Sequence, residues 1–141
     1  MAMISEHTDV VSAGVLAAEL LAIACGSGNG LQAETVRNLA EDLGRGLRSP
    51  SDTGPAGPLV EASLACADLA MLAACNVAAL PDRPRAVAAT HLAAGAARAL
   101  ATLGESEIGT REDAYAENAS RDLRSAGWKA DLAVRQLGVA G

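Results

Sequence analysis

Large aromatic side chains are nearly absent from this chain of 141 residues, which contains no phenylalanine, one tyrosine and one tryptophan. Hydrophobic residues nevertheless make up 50% of it, and roughly a quarter of all residues are alanine. An interior built from Ala, Leu and Val excludes thick layers of large side chains and favours helices that approach one another closely. The composition therefore predicts an all-α, alanine-rich bundle.

The chain also lacks an excess of positive charge. Its formal net charge is −6 and its isoelectric point is near 4.8. Binding to a phosphate backbone or to an anionic lipid surface requires a broad basic surface. We therefore expect neither nucleic acid nor a membrane as a partner.

Paired cysteines are missing too. The chain has an odd number of cysteines (Cys25, Cys66 and Cys75), without a C-x-x-C motif. Cys66 and Cys75 are nine positions apart in one predicted helix, so they point to opposite sides and cannot bridge each other. The charged Glu6 and Asp9 interrupt the start of the chain, where a signal peptide needs an apolar run. These features predict a cytoplasmic protein with reduced thiols.

No segment alternates polar and apolar residues as a half-buried strand does, whereas five segments show helical periodicity. We predict one domain over residues 1–141, with a long irregular loop at about 48–57 where Ser, Pro, Asp and Gly cluster. The first predicted helix covers about residues 9–25, and the second carries an apolar stripe from Ala33 to Leu47. The third runs from Pro58 to Leu80, and the fourth from Asp82 or Arg83 to Gly104. The fifth begins with a T-x-x-D capping pattern from Thr110 to Asp113.

The third predicted helix is apolar around most of its circumference, and we place it at the centre of the bundle. It is long enough to cross a membrane, but Glu61, Asp68 and Asn76 lie inside it, which favours a buried helix. The fourth and fifth helices carry stripes at heptad-like spacing and are predicted to pack as a tight antiparallel pair. The fifth helix has the cleanest stripe: Ala116, Ala119, Leu123, Ala126, Ala130, Ala133 and Leu137.

Three polar residues of the third and fourth helices are candidates for ligand binding. Asp68 lies among apolar neighbours, where a carboxylate is costly unless it is paired or solvated. It lies either on a solvated face or in a pocket with a raised pKa. His91 and Arg98 share a face of the fourth helix, where they either form a polar notch for an anion or remain simple surface residues.

Metal and nucleophile chemistry lack their sequence signatures. Only two histidines occur, in neither an H-x-x-x-H nor an E-x-x-H pattern, so we predict no metal site. The glycine-rich segment Gly26 to Gly30 follows a helix and has no Lys-Ser/Thr after it, which indicates an interhelical turn and not a phosphate loop. No G-x-S-x-G motif is present. We expect no cofactor.

The two large rings, Tyr115 and Trp128, lie in the fifth helix away from its main stripe. There they serve either as exposed anchors of an interface or as fillers of gaps left by neighbouring alanines.

The segment LPDRPRAVAATHLAAGAARAL, followed at a distance by EDAYAEN, resembles a stretch of the formimidoyltetrahydrofolate cyclodeaminase and methenyltetrahydrofolate cyclohydrolase family. The resemblance covers about a fifth of the chain and implies an all-helical, dimeric protein. The family's glycine-rich N-terminal motif is missing, so the resemblance assigns no site residue.

Two functional hypotheses follow. The first is a self-associating helical protein, most simply a dimer, that acts through protein contacts, because a thin alanine core and long apolar stripes favour association. The second is a small-molecule site or enzyme between the third and fourth helices that uses Asp68, His91 and Arg98, with folate chemistry as the example that the resemblance implies.

Overall fold

The computed structural model describes residues 2–26, 30–48 and 57–140, and within them the chain forms five α-helices and no strand. The helices are α1 (Ala2–Ala24), α2 (Leu31–Arg48), α3 (Gly57–Asn76), α4 (Arg83–Ile108) and α5 (Ala114–Ala140), with a 3-10 turn at Val77–Ala79. The predicted all-α bundle is confirmed. The predicted loop at 48–57 falls almost entirely on residues outside the described ranges.

Helices α3 and α4 form the centre of the bundle. Helix α4 packs against α1, α3 and α5, whereas α3 packs against α4, α5 and α2. Contacts from Arg98 to Asp131 and from Glu105 to Ser120 run in opposite directions along α4 and α5, so these helices are antiparallel as predicted. The central position of the apolar third helix is confirmed, and α4 shares that position.

The interior is built mainly from the smallest side chains. Buried residues from all five helices form one main cluster in which alanines predominate. Helix α1 buries Gly14, Ala17 and Leu21, while its Leu16 and Ile23 remain 46% and 55% exposed. Small side chains let the backbones approach closely. Helix α1 therefore packs through a face of mainly small residues, and Leu16 and Ile23 remain partly exposed.

Two glycines mark the closest approaches. A β-carbon at Gly14 would lie 2.6 Å from the Cys66 Sγ, and one at Gly104 would lie 2.7 Å from the Leu123 Cδ1. Both distances are far below van der Waals contact. The predicted end of the fourth helix at Gly104 is therefore wrong: Gly104 is a buried packing position inside α4, because Leu123 occupies the space that a side chain would need.

Other helix ends also differ from prediction, and α3 ends at Asn76 instead of Leu80, with the 3-10 turn between them. Helix α1 begins at Ala2, before the predicted start at residue 9, since no Gly or Pro interrupts residues 2–9. Helix α4 ends at Ile108, followed by Gly109 with a positive φ of 61°. Helix α5 is capped by Asp113 and not by Thr110, because the Asp113 Oδ1 accepts the Ala116 N–H at 2.8 Å.

The two central helices are long and apolar enough to cross a membrane by length and composition alone: Gly57–Ala79, which includes the 3-10 turn, and Arg83–Ile108. About half of each apolar window is buried inside the bundle. Contacts with the neighbouring helices account for that buried half of each window.

Candidate interaction surface

Asp68 is exposed on α3 and faces α5. Its Oδ1 accepts a hydrogen bond from the Lys129 Nζ at 2.8 Å, and the Asp68 side chain is 48% exposed. Of the two placements that the sequence left open, the structure has the solvated one. Asp68 therefore does not lie in the enclosed pocket that the other placement required.

Arg98 and His91 lie on the exposed side of α4. The Arg98 Nη1 donates to the Asp131 Oδ1 of α5 at 2.9 Å. No hydrogen bond or ion pair joins His91 to Asp68 or Arg98 among the residues that the structure describes. The three predicted ligand-binding residues are thus not linked to one another, and two of them instead pair with α5, one on each flank of that helix.

A groove of ≈ 420 Å³ lies between α1 and α2. Its charged groups include Glu19 and Arg48, which pair with each other at 2.8 Å, and Arg45, which pairs with Asp42 outside the lining. These arginines are already partnered within the chain, so the groove offers an incoming anion little uncompensated positive charge.

The buried polar groups have structural partners. The Ser63 hydroxyl donates to the Ala97 carbonyl at 2.8 Å, and the Thr90 hydroxyl donates to the Ala86 carbonyl at 2.9 Å. Burial raises the pKa of the Cys66 thiol to about 12, so this thiol stays protonated and unreactive at neutral pH. Within the described ranges no group of three or more His, Cys, Asp or Glu residues could hold a metal ion.

Tyr115 lies at the corner between α4 and α5 and is 37% exposed. The Arg111 guanidinium stands over its ring, 5.7 Å from the centroid, and Arg111 also donates to Asp113 at 2.7 Å. Tyr115 therefore takes part in a local cluster at the start of α5.

Trp128 is 61% exposed and lies on the outer face of α5. Arg121, Arg124 and Arg135 are seven and four residues before it and seven residues after it, spacings that place all four side chains on one face of the helix. The three arginines are exposed and have no ion-pair partner in the part of the chain that the structure describes. We call these four residues the α5 outer face.

Acidic residues lie close to the α5 outer face, and the nearest to Trp128 in sequence is Asp131, three residues after it. Asp131 is engaged by Arg98, Asp122 is half-buried, and Glu117 lies one turn before Arg121. An acidic chain thus presents one strip with a tryptophan among unpaired arginines. Trp and Arg are the residues most enriched at the energetic centres of protein interfaces.

No protein-family model, curated protein or solved structure matches this chain. The resemblance of residues 80–100 to the folate cyclodeaminase family remains a prediction. The role of the α5 outer face therefore has to follow from its geometry and chemistry alone.

Sequence reasoning identified Trp128 but missed its arginine neighbours. The signal was present, because the spacing of Arg121, Arg124 and Arg135 around Trp128 follows one helix face. The net charge of −6 concealed this signal, because a net charge sums over all faces of the protein and hides one that is locally basic.

Proposed function

We propose that this protein is a self-associating interaction module and that the α5 outer face is its principal contact surface. The observation that carries the proposal is the exposure of Trp128 between unpaired arginines on a rigid, 27-residue helix. A large ring held on a packed helix loses little conformational freedom on binding, which favours association.

The proposal extends to the compartment. All three cysteines are free thiols, two of them buried and Cys75 exposed. An odd number of cysteines that includes one exposed thiol is compatible with a reducing environment such as the cytoplasm. A small-molecule enzyme is less well supported, because Asp68 and Arg98 are engaged in exposed ion pairs with α5.

The test is the oligomeric state in solution. Sedimentation velocity of the full chain at increasing micromolar concentrations should show a shift from monomer to larger species. Because Trp128 is the only tryptophan, its fluorescence should move to shorter wavelength over the same concentration range as the ring leaves water.

Trp128→Ala should weaken association by at least about tenfold, the loss typical of a central interface residue. The matched control is Leu31→Ala, which removes an 80% exposed apolar side chain from the start of α2 and should leave association unchanged. A wild-type chain that stays monomeric throughout would overturn the proposal. So would equal weakening by both substitutions.

A further inference from the structure

We infer that the α5 outer face binds a second copy of the chain through the exposed face of α1, so that the assembly is head-to-tail. The inference rests on the proposed self-association and specifies its partner surface. The α1 outer face comprises the exposed residues Asp9, Ser12, Leu16, Glu19 and Ile23.

The middle of the α1 outer face is apolar, as is the middle of the α5 outer face, where Trp128 lies. Leu16 and Ile23 are seven residues apart on one side of α1, and both are about half exposed. Helices α2 and α4 pack against the rest of α1, and the outer face borders the α1–α2 groove, which Glu19 and Ile23 help to line, whereas Leu16 is not part of that lining. An apolar strip of this kind provides a surface on which a tryptophan can pack.

Charge also favours this pairing over the contact of two α5 faces. Helix α1 contains no Lys or Arg, and its outer face carries Asp9 together with Glu19, which is paired with Arg48 of α2. Bringing two α5 outer faces together would place unpaired arginines against arginines. Complementary charge steers association, whereas juxtaposed like charges oppose it.

The two strips also match in length. Trp128 lies midway between Arg121 and Arg135, as Leu16 lies midway between Asp9 and Ile23, and each strip spans about 21 Å at about 1.5 Å per residue. With Trp128 opposite Leu16, an antiparallel arrangement brings Asp9 to Arg135.

The same antiparallel arrangement places Glu19 opposite Ser125, next to Arg124. A parallel arrangement would instead place Glu19 opposite Asp131, where like charges repel. Asp9 meets an arginine in either direction, Arg135 or Arg121, so it is the position of Glu19 that favours the antiparallel register.

The location of the two strips determines the type of assembly. Helix α1 packs against α2 and α4, and α5 packs against α3 and α4, so one copy carries both strips on different helices. Each copy can then offer α1 to one neighbour and α5 to another. Such a contact forms a ring or an open chain, and it closes as a dimer only if both pairs of strips meet across one twofold axis.

A mixing experiment with two defective variants tests the inference. Trp128→Ala lacks the α5 ring but keeps α1, whereas Leu16→Ser combined with Ile23→Ser damages α1 but keeps Trp128. Each variant alone should be monomeric at concentrations where the wild type associates. Since all three side chains are exposed, circular dichroism and thermal unfolding should show an intact fold in both.

Mixed in equal amounts, the two variants should form a one-to-one dimer through the one intact pair of strips. The only fluorescent tryptophan in the mixture belongs to the α1-defective variant, and its emission should shift to shorter wavelength when the Trp128→Ala variant is added. Asp9→Arg and Arg135→Asp should each weaken wild-type association about two- to fivefold, and their mixture should recover part of the loss.

If Trp128→Ala abolishes association but the Leu16→Ser, Ile23→Ser variant associates as the wild type does, the head-to-tail inference is overturned while the proposed function stands. The same holds if both variants are monomeric alone and their mixture stays monomeric. A wild type that never associates would overturn both the head-to-tail inference and the proposed function.

Discussion

Helices α1 and α5 both flank the central pair, yet they use their large apolar side chains differently. In α5 the apolar stripe seen in the sequence coincides with the buried face, and Leu123 is fully buried. In α1 Leu21 is also buried, but Leu16 and Ile23 face outward, while the small residues Gly14 and Ala17 face the core. Helical periodicity therefore defines a face without determining whether that face meets the core.

The difference between α1 and α5 shows which side chains fit into an alanine-rich interior. Where helices approach as closely as α1 and α3 do at Gly14 and Cys66, there is no room for a leucine between the backbones. Elsewhere the small side chains of α1 pack against α4 and α2, and their van der Waals contacts occupy its inner face. Leu16 and Ile23 remain outside and are available for another molecule.

The largest expected effect sharpens this comparison with one substitution in each helix. Leu123→Ala should lower the free energy of unfolding by about 2–5 kcal/mol, because it leaves a cavity in a packed core. Leu16→Ala should lower it by no more than about 1 kcal/mol, because Leu16 is 46% exposed and its removal leaves no enclosed cavity. Urea unfolding followed by circular dichroism, at a concentration where the chain is monomeric, measures both. Similar losses from the two variants would contradict the outward placement of Leu16.

A smaller effect tests the close approach of α4 and α5. Gly104→Val should cost about 1–3 kcal/mol, since its β-carbon would overlap the Leu123 side chain. The same helix provides the control: a β-carbon at Gly95 meets nothing within 4 Å, so Gly95→Ala should stabilise the protein by up to about 1 kcal/mol through helix propensity.

The two α4–α5 substitutions can also be combined. In a Leu123→Ala background, Gly104→Val should cost less than it does alone, because the space has been vacated. Additive costs in the same urea unfolding measurement would show that Gly104 and Leu123 do not compete for one volume.

The smallest effect concerns the start of α5 and depends on pH. The Arg111 guanidinium and the Ala116 N–H hold the pKa of the Asp113 carboxyl below its usual value. A group whose pKa is lower in the folded state stabilises the protein above its unfolded pKa of about 3.9, and this contribution disappears as the pH falls through the folded value. Asp113→Asn keeps a capping oxygen but removes the charge, so its thermal midpoint should lie below wild type at neutral pH and approach wild type in acid.

Thr110→Ala is the control for that series. Thr110 is the cap that the sequence pattern suggested, and the structure does not use it. Its replacement should leave the thermal midpoint unchanged at every pH. If Thr110→Ala lowered the thermal midpoint at neutral pH as much as Asp113→Asn does, Thr110 and not Asp113 would be the cap of α5.

Several features of the fold could be predicted because they depend on local sequence. The buried stripe of α5 and the Asp82 cap both act over a few residues. The role of Gly104 could not be predicted, since a glycine that ends a helix and a glycine that admits a neighbouring leucine look the same in one dimension. The ion pairs of Asp68 and Arg98 with α5 join residues far apart in the chain, so their spacing carries no local signal.

By itself, the sequence determined that the chain forms long helices with a core of small side chains, because propensity, capping and composition act locally. The tertiary structure decided which face of each helix is buried. It thereby left the α5 outer face and the pair Leu16 and Ile23 exposed on the surface. The physical reason is that docking depends on how closely two particular backbones can approach, a property of pairs of helices and not of either one alone.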